Sequence, residues 1–250
     1  MGGSTQSILG KTRTDQTFNN GLNRLHFPFG AGAGYSAAMP FPTAPVLRIE
    51  HLCLRWPDGV HQFRDLSLAF GPGVTLLDGD SGKTTLLRTI AGELAADGRI
   101  TLDGRTRDDD AAGWARDVAF LDATDERLDA LTPDGVMAVV RRRHAALDEP
   151  AWRRHAEAFG LGPHLPKAMF QLSTGSRRKV ALAALLATRC PLTLLDDAAA
   201  GLDAASLRHL RAALAQANAE PARATIVVAG AGLDGLACNS TVTLPAQECT

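Results

Sequence analysis

From residue 46 onward the chain alternates apolar and polar positions in short runs, which are separated by turn sequences such as Pro57-Asp58-Gly59 and Gly71-Pro72-Gly73. A period of two places every second side chain on the same face, which is typical of a half-buried strand. We therefore predict short strands at three groups of apolar positions: Leu47, Ile49, Leu52 and Leu54; Leu66, Leu68 and Phe70; and 74–77.

The periodicity becomes helical after residues 81–85, Ser-Gly-Lys-Thr-Thr, because apolar residues then recur at 86, 87, 90, 91 and 94. This pattern predicts an amphipathic helix that opens on a glycine-lysine turn. Further along we predict a hairpin turn at Asp103-Gly104, a strand at 118–121, mostly helical structure over 125–170, a helix at 174–187, a strand at 192–195, a helix at 204–217 and a strand at 225–228. Alternation of strands and helices predicts an α/β fold with a parallel core sheet.

Residues 1 to about 46 show neither the strand periodicity nor the helix periodicity, and they contain one acidic residue, Asp15. We expect a flexible, disordered leader that does not join the core, followed by a single domain over 47–250. Two alternatives stay open for this acid-poor segment: a transit peptide, and a translation start placed upstream of Met39.

Composition narrows the class of protein. With 45% apolar and 21% charged residues, the chain can bury a core, which excludes wholesale disorder. The 26 basic and 27 acidic residues leave a net charge of -1, so no global field attracts nucleic acid and any anion site must be local. The four cysteines form no C-x-x-C pair, which argues against a zinc site and favours a reducing cytoplasm. No apolar stretch approaches the roughly 18 residues of a membrane span.

The glycine-lysine turn is the first candidate site. A strand, a glycine turn and a helix that begins with Lys-Thr hold nucleotide phosphates through backbone N–H groups, the positive helix end and the lysine charge. Lys83 would contact the β- and γ-phosphates and the Thr84 hydroxyl would contact Mg²⁺. The alternative is a chance sequence at a helix start. It is less favoured because an apolar strand ends in Asp196, which supplies a carboxylate at the carboxyl edge of a parallel sheet.

The segment between these motifs carries a resemblance to a known family. Residues 172–180 read Leu-Ser-Thr-Gly-Ser-Arg-Arg-Lys-Val, and residues 196–203 read Asp-Asp-Ala-Ala-Ala-Gly-Leu-Asp. Their order and spacing resemble the signature, Walker B and D-loop sequences of ATP-binding cassette (ABC) proteins, from about Leu47 to the C-terminus. A P-loop protein outside this family is the remaining alternative.

The resemblance implies an ATP and Mg²⁺ site with a P-loop NTPase core, an antiparallel β-subdomain and an inserted helical subdomain at about 124–171. Trp56 would stack on adenine. The implied phosphate-binding residues are Gly79, Asp80, Ser81, Gly82, Lys83, Thr84 and Thr85. Thr84 and Asp196 would hold Mg²⁺, Asp197 would act on the attacking water, and Ser173 and Gly175 would close over ATP bound to a second cassette. The implied partners are that cassette and a membrane-spanning subunit, on the cytoplasmic face of the cell membrane.

The sequence also departs from the family pattern. The family P-loop, G-x-x-G-x-G-K-[ST], is two residues longer than the sequence from Gly79 to Thr84. Two missing residues remove about 7 Å of reach, so we expect weak ATP binding. Asp197 stands in place of the catalytic glutamate, Asp122 in place of a glutamine, and Gly230 in place of a histidine.

We assign three further groups of residues to the structure of the protein and not to a binding site. We expect 141–144, Arg-Arg-Arg-His, to form a solvated helix face rather than a binding patch. Asp108-Asp109-Asp110 is expected to be a polar loop before a helix, and Trp114 and Trp152 are expected to pack in the interior.

Two functions remain open at this point. The first is an ATPase subunit of an ABC transporter, and the second is a degenerate cassette that forms the structural or regulatory half of a heterodimer. Lys83, Thr84, Asp196 and the signature favour the first, whereas the departures favour the second.

Overall fold

The computed structural model describes residues 46–219, 224–228, 233, 235, 236 and 238–245. Residues 1–45 of the predicted leader lie outside this part of the chain, as does Gly230. Val46, the last residue of the predicted leader, is described and packs in the hydrophobic core next to β1. The described residues contain these elements in chain order: β1 (Leu47–Arg55), β2 (His61–Phe70), β3 (Gly73–Asp78), α1 (Lys83–Ile90), β4 (Asp97–Leu102), β5 (Arg105–Thr106), α2 (Ala111–Asp117), β6 (Val118–Ala119), α3 (Pro133–Arg143), α4 (Glu149–Ala158), α5 (Thr174–Leu186), β7 (Leu192–Leu195), α6 (Ala204–Ala217), β8 (Ala224–Val228) and β9 (Ser240–Thr243).

An antiparallel sheet of order β2-β1-β4-β5 opens the fold. Its register explains why the buried positions of β1 run 47, 49, 52 and 54 instead of alternating throughout. The pairing of β1 with β2 shifts between Ile49 and Leu52, and His51 there has a positive φ of 52°. Such a bulge adds one residue to a strand and so returns the next apolar side chain to the buried face.

A second sheet has the order β6-β7-β8-β3-β9, and all of its pairings are parallel. The predicted parallel core is confirmed. Strand β6 is shorter than expected, since its pairing with β7 stops at Ala119. The carboxyl ends of β3 and β7 lie at the same edge of the sheet because the strands are parallel, and this edge is where α/β folds bind ligands.

Two hydrophobic clusters hold these layers together. One joins the antiparallel sheet to α1 and the core sheet and includes Trp114, which is 5% exposed; the other packs α3 to α6 together and includes Trp152, which is 2% exposed. Both indole N–H groups are satisfied, by the Ile90 carbonyl at 2.7 Å and by Asp134 at 3.2 Å. The interior packing predicted for both tryptophans is confirmed.

The segment between β6 and α5 is mostly helical, as predicted. Helices α3 and α4 both pack on α5. Asp148 caps α4 by accepting a 3.0 Å hydrogen bond from the Ala151 backbone N–H, as Asp residues commonly do at this position. None of the helices in the described part of the chain is both long and apolar enough to cross a membrane.

The prediction for residues 141–144 is right for the arginines and wrong for His144. Arg141, Arg142 and Arg143 are exposed, but α3 ends at Arg143 and the extended backbone of His144 turns its ring inward. His144 is 2% exposed, and its Nδ1 lies 2.8 Å from the Arg116 carbonyl oxygen. Burial lowers the pKa of His144, so it packs as a neutral core residue. The acidic loop behaves as expected, since Asp110 caps α2.

Candidate nucleotide-binding site

The loop between β3 and α1 has four residues, because β3 ends at Asp78 and α1 begins at Lys83. Gly79 has a φ of 128° and Gly82 a φ of 86°, both in the region that favours glycine. Gly82 is the N-cap of α1. All of the predicted phosphate-binding residues, 79–85, therefore lie in this loop and in the first turn of the helix.

Lys83 lies across the loop. Its Nζ donates a hydrogen bond to the carbonyl oxygen of Gly79, at the opposite end of the four-residue turn. Gly79 in turn packs against the chain after β9: a Cβ placed on it would lie 3.0 Å from Cβ of Leu244. The loop is thus bridged by Lys83 and packed against Leu244, so it has little room to widen around a phosphate.

Trp56 is joined to the same loop through Gln62. The indole Nε1 donates a 3.1 Å hydrogen bond to Gln62 Oε1, and a Cβ placed on Gly82 would lie 2.9 Å from Gln62 Nε2. The predicted aromatic residue and the glycine loop therefore share a neighbour. Gln62 was not predicted from the sequence, since no local pattern marks an amide that bridges two loops.

Asp196 follows β7 and faces the first turn of α1. The Thr84 hydroxyl donates a hydrogen bond to its carboxylate, whereas the Oδ1 oxygen is buried and has no hydrogen-bond partner. Burial raises the pKa of Asp196, and the negative charges of Asp197 and Asp122 raise it further, against the hydrogen bond from Thr84 and the charge of Arg178. A buried carboxylate oxygen that lacks a partner costs free energy unless a donor or cation meets it.

A cleft of about 220 Å³ opens beside these residues, and its lining includes Thr84, Asp122, Arg178, Asp196 and Asp197. Asp122 is engaged locally, since its Oδ1 accepts hydrogen bonds from the backbone N–H and the hydroxyl of Thr124, at 2.8 and 2.6 Å. Among the described residues, no group of three or more His, Cys, Asp or Glu side chains could hold a metal ion. A cation here would depend on Asp196, Thr84 and oxygens of a bound ligand.

Asp197, the next residue, pairs with an arginine of the same chain. Its backbone adopts a φ of 44°, a left-handed conformation that Asp tolerates better than most residues. Its Oδ2 lies 3.4 Å from Nη2 of Arg178, and the carboxylate side chain is 50% exposed. Asp197, which stands in the position of the family's glutamate, therefore forms an ion pair with Arg178 of the same chain. No sequence motif assigns a role to this arginine.

The signature residues form the start of α5. Ser173 is the N-cap, and its Oγ accepts a hydrogen bond from the Ser176 backbone N–H at 3.2 Å. A Cβ placed on Gly175 would lie 2.6 Å from the Gly201 carbonyl oxygen, so only glycine allows this approach to the segment after Asp197. Ser173 and Gly175 are not among the described residues that line the cleft.

A parallel sheet that brings a glycine loop with a helical Lys-Thr to the same edge as a strand-terminal aspartate defines a P-loop nucleotide-binding protein. Residues 64–200, more than half of the chain, match the family model described as ABC transporter. The chain belongs to this family.

Curated relatives agree with that assignment. The chain is 31% identical over 210 residues to the phosphonates import ATP-binding protein PhnC of Burkholderia pseudomallei, covering 73% of this chain and 66% of the relative. It is 36% identical over 136 residues to the cytochrome c biogenesis ATP-binding export protein CcmA of Bordetella bronchiseptica, covering 54% of this chain and 61% of the relative. The matched region thus spans less than two thirds of each relative's length.

Solved structures share the fold. One, described as the ATP binding subunit of an ABC transporter, superposes with a TM-score of 0.68 at 21% identity over 80% of this chain and 85% of its own. Another, cbiO1 from Clostridium perfringens, part of the ABC transporter complex cbiONQ, gives a TM-score of 0.60 at 21% identity with the same coverage of both chains. At these identities the likeness shows the P-loop α/β fold.

Proposed function

We propose that the chain is the ATP-binding subunit of an ABC transporter, in which nucleotide binding is coupled to a separate membrane-spanning subunit. One observation carries the proposal: the Thr84 hydroxyl, in the first turn of the helix that follows the glycine loop, meets the carboxylate of Asp196 at the end of β7. This pair would mark the place where the phosphates and the cation of a nucleotide meet.

The phosphates would lie over the N-terminus of α1. Lys83 would leave the Gly79 carbonyl and move to the β- and γ-phosphates, while backbone N–H groups of 81–85 point at the same oxygens. Trp56, held by Gln62 beside Gly82, would stack on the adenine ring. The lysine charge would have an oxygen partner in both cases. Lys83 would contact the Gly79 carbonyl when no nucleotide is bound and the phosphates when nucleotide is bound.

Mg²⁺ fits the oxygens present. The buried Oδ1 of Asp196 lacks a partner and the Thr84 hydroxyl lies beside it, and one carboxylate plus a hydroxyl and phosphate oxygens is a usual set for this ion. When bound, the ion would neutralise charge that develops on the β- and γ-phosphates. Thr84 and Asp196 are the residues that would hold it.

A second cassette and a membrane subunit complete the proposed assembly. Ser173 and Gly175 lie outside the chain's own cleft, which supports a role on ATP bound by a partner cassette. The helical subdomain at about 124–171 would dock on the membrane subunit at the cytoplasmic face. Phosphonate import and cytochrome c biogenesis, named for the relatives, illustrate the range of systems that such subunits serve.

A specific observation favours the second candidate, a cassette with little hydrolysis of its own. The loop has four residues and is spanned by Lys83, and Asp197 is one methylene shorter than the glutamate of the family pattern. Such a chain would bind Mg-ATP weakly and would still offer Ser173 and Gly175 to a partner's ATP.

Titration calorimetry with Mg-ATP tests the binding site. We expect magnesium-dependent binding that Lys83→Ala weakens by about tenfold or more, because a charge-assisted contact contributes about 1.5–3 kcal/mol. Lys167→Ala, which removes an exposed lysine outside the loop, is the matched control and should leave the affinity unchanged. Micromolar or tighter binding that survives Lys83→Ala would refute the assignment.

A mixed complex with an intact cassette separates the two candidates. Ser173→Asp keeps the α5 cap, because Asp caps as well as Ser, but places a carboxylate where the partner's γ-phosphate would lie. If this chain is the structural or regulatory half of a heterodimer, Ser173→Asp abolishes turnover of the mixed complex and Asp197→Asn has a smaller effect. Robust turnover by the purified chain alone, abolished by Asp197→Asn, would instead establish an ordinary ATPase.

A further inference from the structure

Three consecutive cations near the start of α5 pair with three separate acidic segments. Arg177 pairs with Asp129 at 2.5 Å, Arg178 pairs with Asp197 at 3.4 Å, and Lys179 pairs with Asp203. The helix that begins with the signature is therefore tied to the segment after β6, to the residue after Asp196 and to the cap of α6. Arg178 is the member of this set that lines the cleft.

Arg178 holds two groups at once. Its Nη1 donates a 2.6 Å hydrogen bond to the carbonyl of Ala200, while its Nη2 lies 3.4 Å from Oδ2 of Asp197. The arginine side chain is 17% exposed, so the pair is only partly screened by water. A planar guanidinium can serve a carboxylate and a carbonyl in fixed relative positions, whereas an ammonium is a single point charge.

The same backbone touches the signature. Gly201, next to Ala200, brings its carbonyl so close to Gly175 that a Cβ there would lie 2.6 Å away. Arg178 thus connects the Asp197 carboxylate to the two-residue segment on which Gly175 rests. A displacement of the signature helix would move Ala200 and, through the guanidinium, Asp197.

We propose that Arg178 is a positioning residue that fixes the Asp197 carboxylate through a guanidinium shared with Ala200, so that the signature of a chain and the carboxylate of its own cleft move together. The inference rests on the proposed function and deepens it, because Asp197 would serve the chain's own nucleotide and Gly175 the partner's. One arginine would then link the two nucleotide sites of a cassette dimer.

The reaction that this positioning serves is ATP hydrolysis. The oxygen of a water molecule forms a bond to the γ-phosphorus while the bond from phosphorus to the bridging oxygen breaks, and ADP leaves with that electron pair. The water proton passes to Asp197 and then to solvent. Asp197 must face the water for this transfer, and misplacement of a reacting group by about 1 Å costs up to about a hundredfold in rate.

The test is a double-mutant cycle on the full chain, read by single-turnover hydrolysis of γ-labelled ATP with protein in excess. We expect Arg178→Met to lower the rate by about tenfold or more while the Mg-ATP dissociation constant stays within about twofold. Arg178→Lys should recover part of the rate. In the background of Asp197→Asn, Arg178→Met should cause no further loss, because both changes disable one unit.

Arg177→Met is the matched control. Arg177 is buried to a similar degree, at 15% exposed, and pairs with Asp129 instead of Asp197. Its effects should add to those of Asp197→Asn, and its main consequence should be a lower melting temperature.

Each contrary result has a separate meaning. Three results would overturn only the role of Arg178. They are unchanged hydrolysis in Arg178→Met, additive losses in the double-mutant cycle, and a wild type that binds Mg-ATP but shows no single-turnover hydrolysis. Failure of the wild type to bind Mg-ATP would overturn the proposed function itself, so the two failures are distinguishable.

Discussion

The close approach of Gly175 to Gly201 gives a prediction whose size follows from the structure. In Gly175→Ala the new Cβ would lie 2.6 Å from the Gly201 carbonyl oxygen, whereas an ordinary contact starts at 3.4 Å. The start of α5 and the segment after Asp197 must therefore separate by about 0.8 Å, the difference between these distances. The obstacle is a backbone carbonyl, which cannot turn away as a flexible side chain would.

Overpacking of this kind costs about 1–3 kcal/mol. Alanine also favours a helix over glycine by up to about 1 kcal/mol, so the net loss is about 0–2 kcal/mol. For a domain of this size each kcal/mol lowers the melting temperature by about 2–4 °C. We expect Gly175→Ala to melt a few degrees below the wild type.

Thermal unfolding followed by circular dichroism measures the effect. Gly162→Ala is the control, because Gly162 has no heavy atom within 4 Å of a built Cβ and lacks a positive φ. It should melt at the wild-type temperature or slightly above. A Gly175→Ala protein that melts above the wild type would refute the steric argument and remove the contact on which the link through Ala200 depends.

Three further predictions follow from other parts of the chain. Insertion of Ser-Gly after Gly82 should tighten Mg-ATP binding in calorimetry if the short loop is the defect, and unchanged affinity would show that the loop binds in another way. In Asp203→Asn the α6 cap should persist, since Asn caps as well as Asp. The hydrogen bond from Lys179, followed by that from the Ser206 backbone, lowers the pKa of Asp203; its contribution is therefore complete above the unfolded pKa of about 3.9 and is lost as the pH falls from there through the lower pKa of the folded state. Melting scans should show a smaller decline below pH 4 in the variant, and an identical decline would contradict the ion pair. Removal of residues 1–38 should leave the melting temperature unchanged, and a drop of more than about 5 °C, or more than about 1 kcal/mol, would show that the leader packs.

The fold was predictable where periodicity was strong. The strand at Leu192–Leu195 and the helix at Ala204–Ala217 have the predicted bounds, because a fully buried strand and a capped amphipathic helix each have a distinct local pattern. The signal was weaker at His144. Its position at the end of an arginine run suggested a solvated face, but its ring is buried against the Arg116 carbonyl, 28 residues earlier in the chain.

The glycine loop and the two aspartates of the candidate site could be predicted, because short motifs specify them. The partners of the cations near the start of α5 could not. Arg177, Arg178 and Lys179 are consecutive in sequence, yet Asp129, Asp197 and Asp203 lie 48, 19 and 24 residues away. Such pairings depend on where the tertiary path returns the chain, which no local pattern encodes. Gln62, between Trp56 and Gly82, was missed for the same reason.

The departures at the four-residue loop and at Asp197 would affect the nucleotide that this chain binds, whereas Ser173 and Gly175, which keep the family pattern, would serve a partner's nucleotide. Asp197 lines the chain's own cleft, whereas Ser173 and Gly175 are held by a helix cap and by contact with Gly201. In a homodimer both sites would contain the short loop and the short carboxylate. In a heterodimer one site would combine a partner's intact loop with this chain's signature. We therefore propose that this chain pairs with a different cassette, and Arg178 would then transmit the state of the site completed by its signature to the chain's own site.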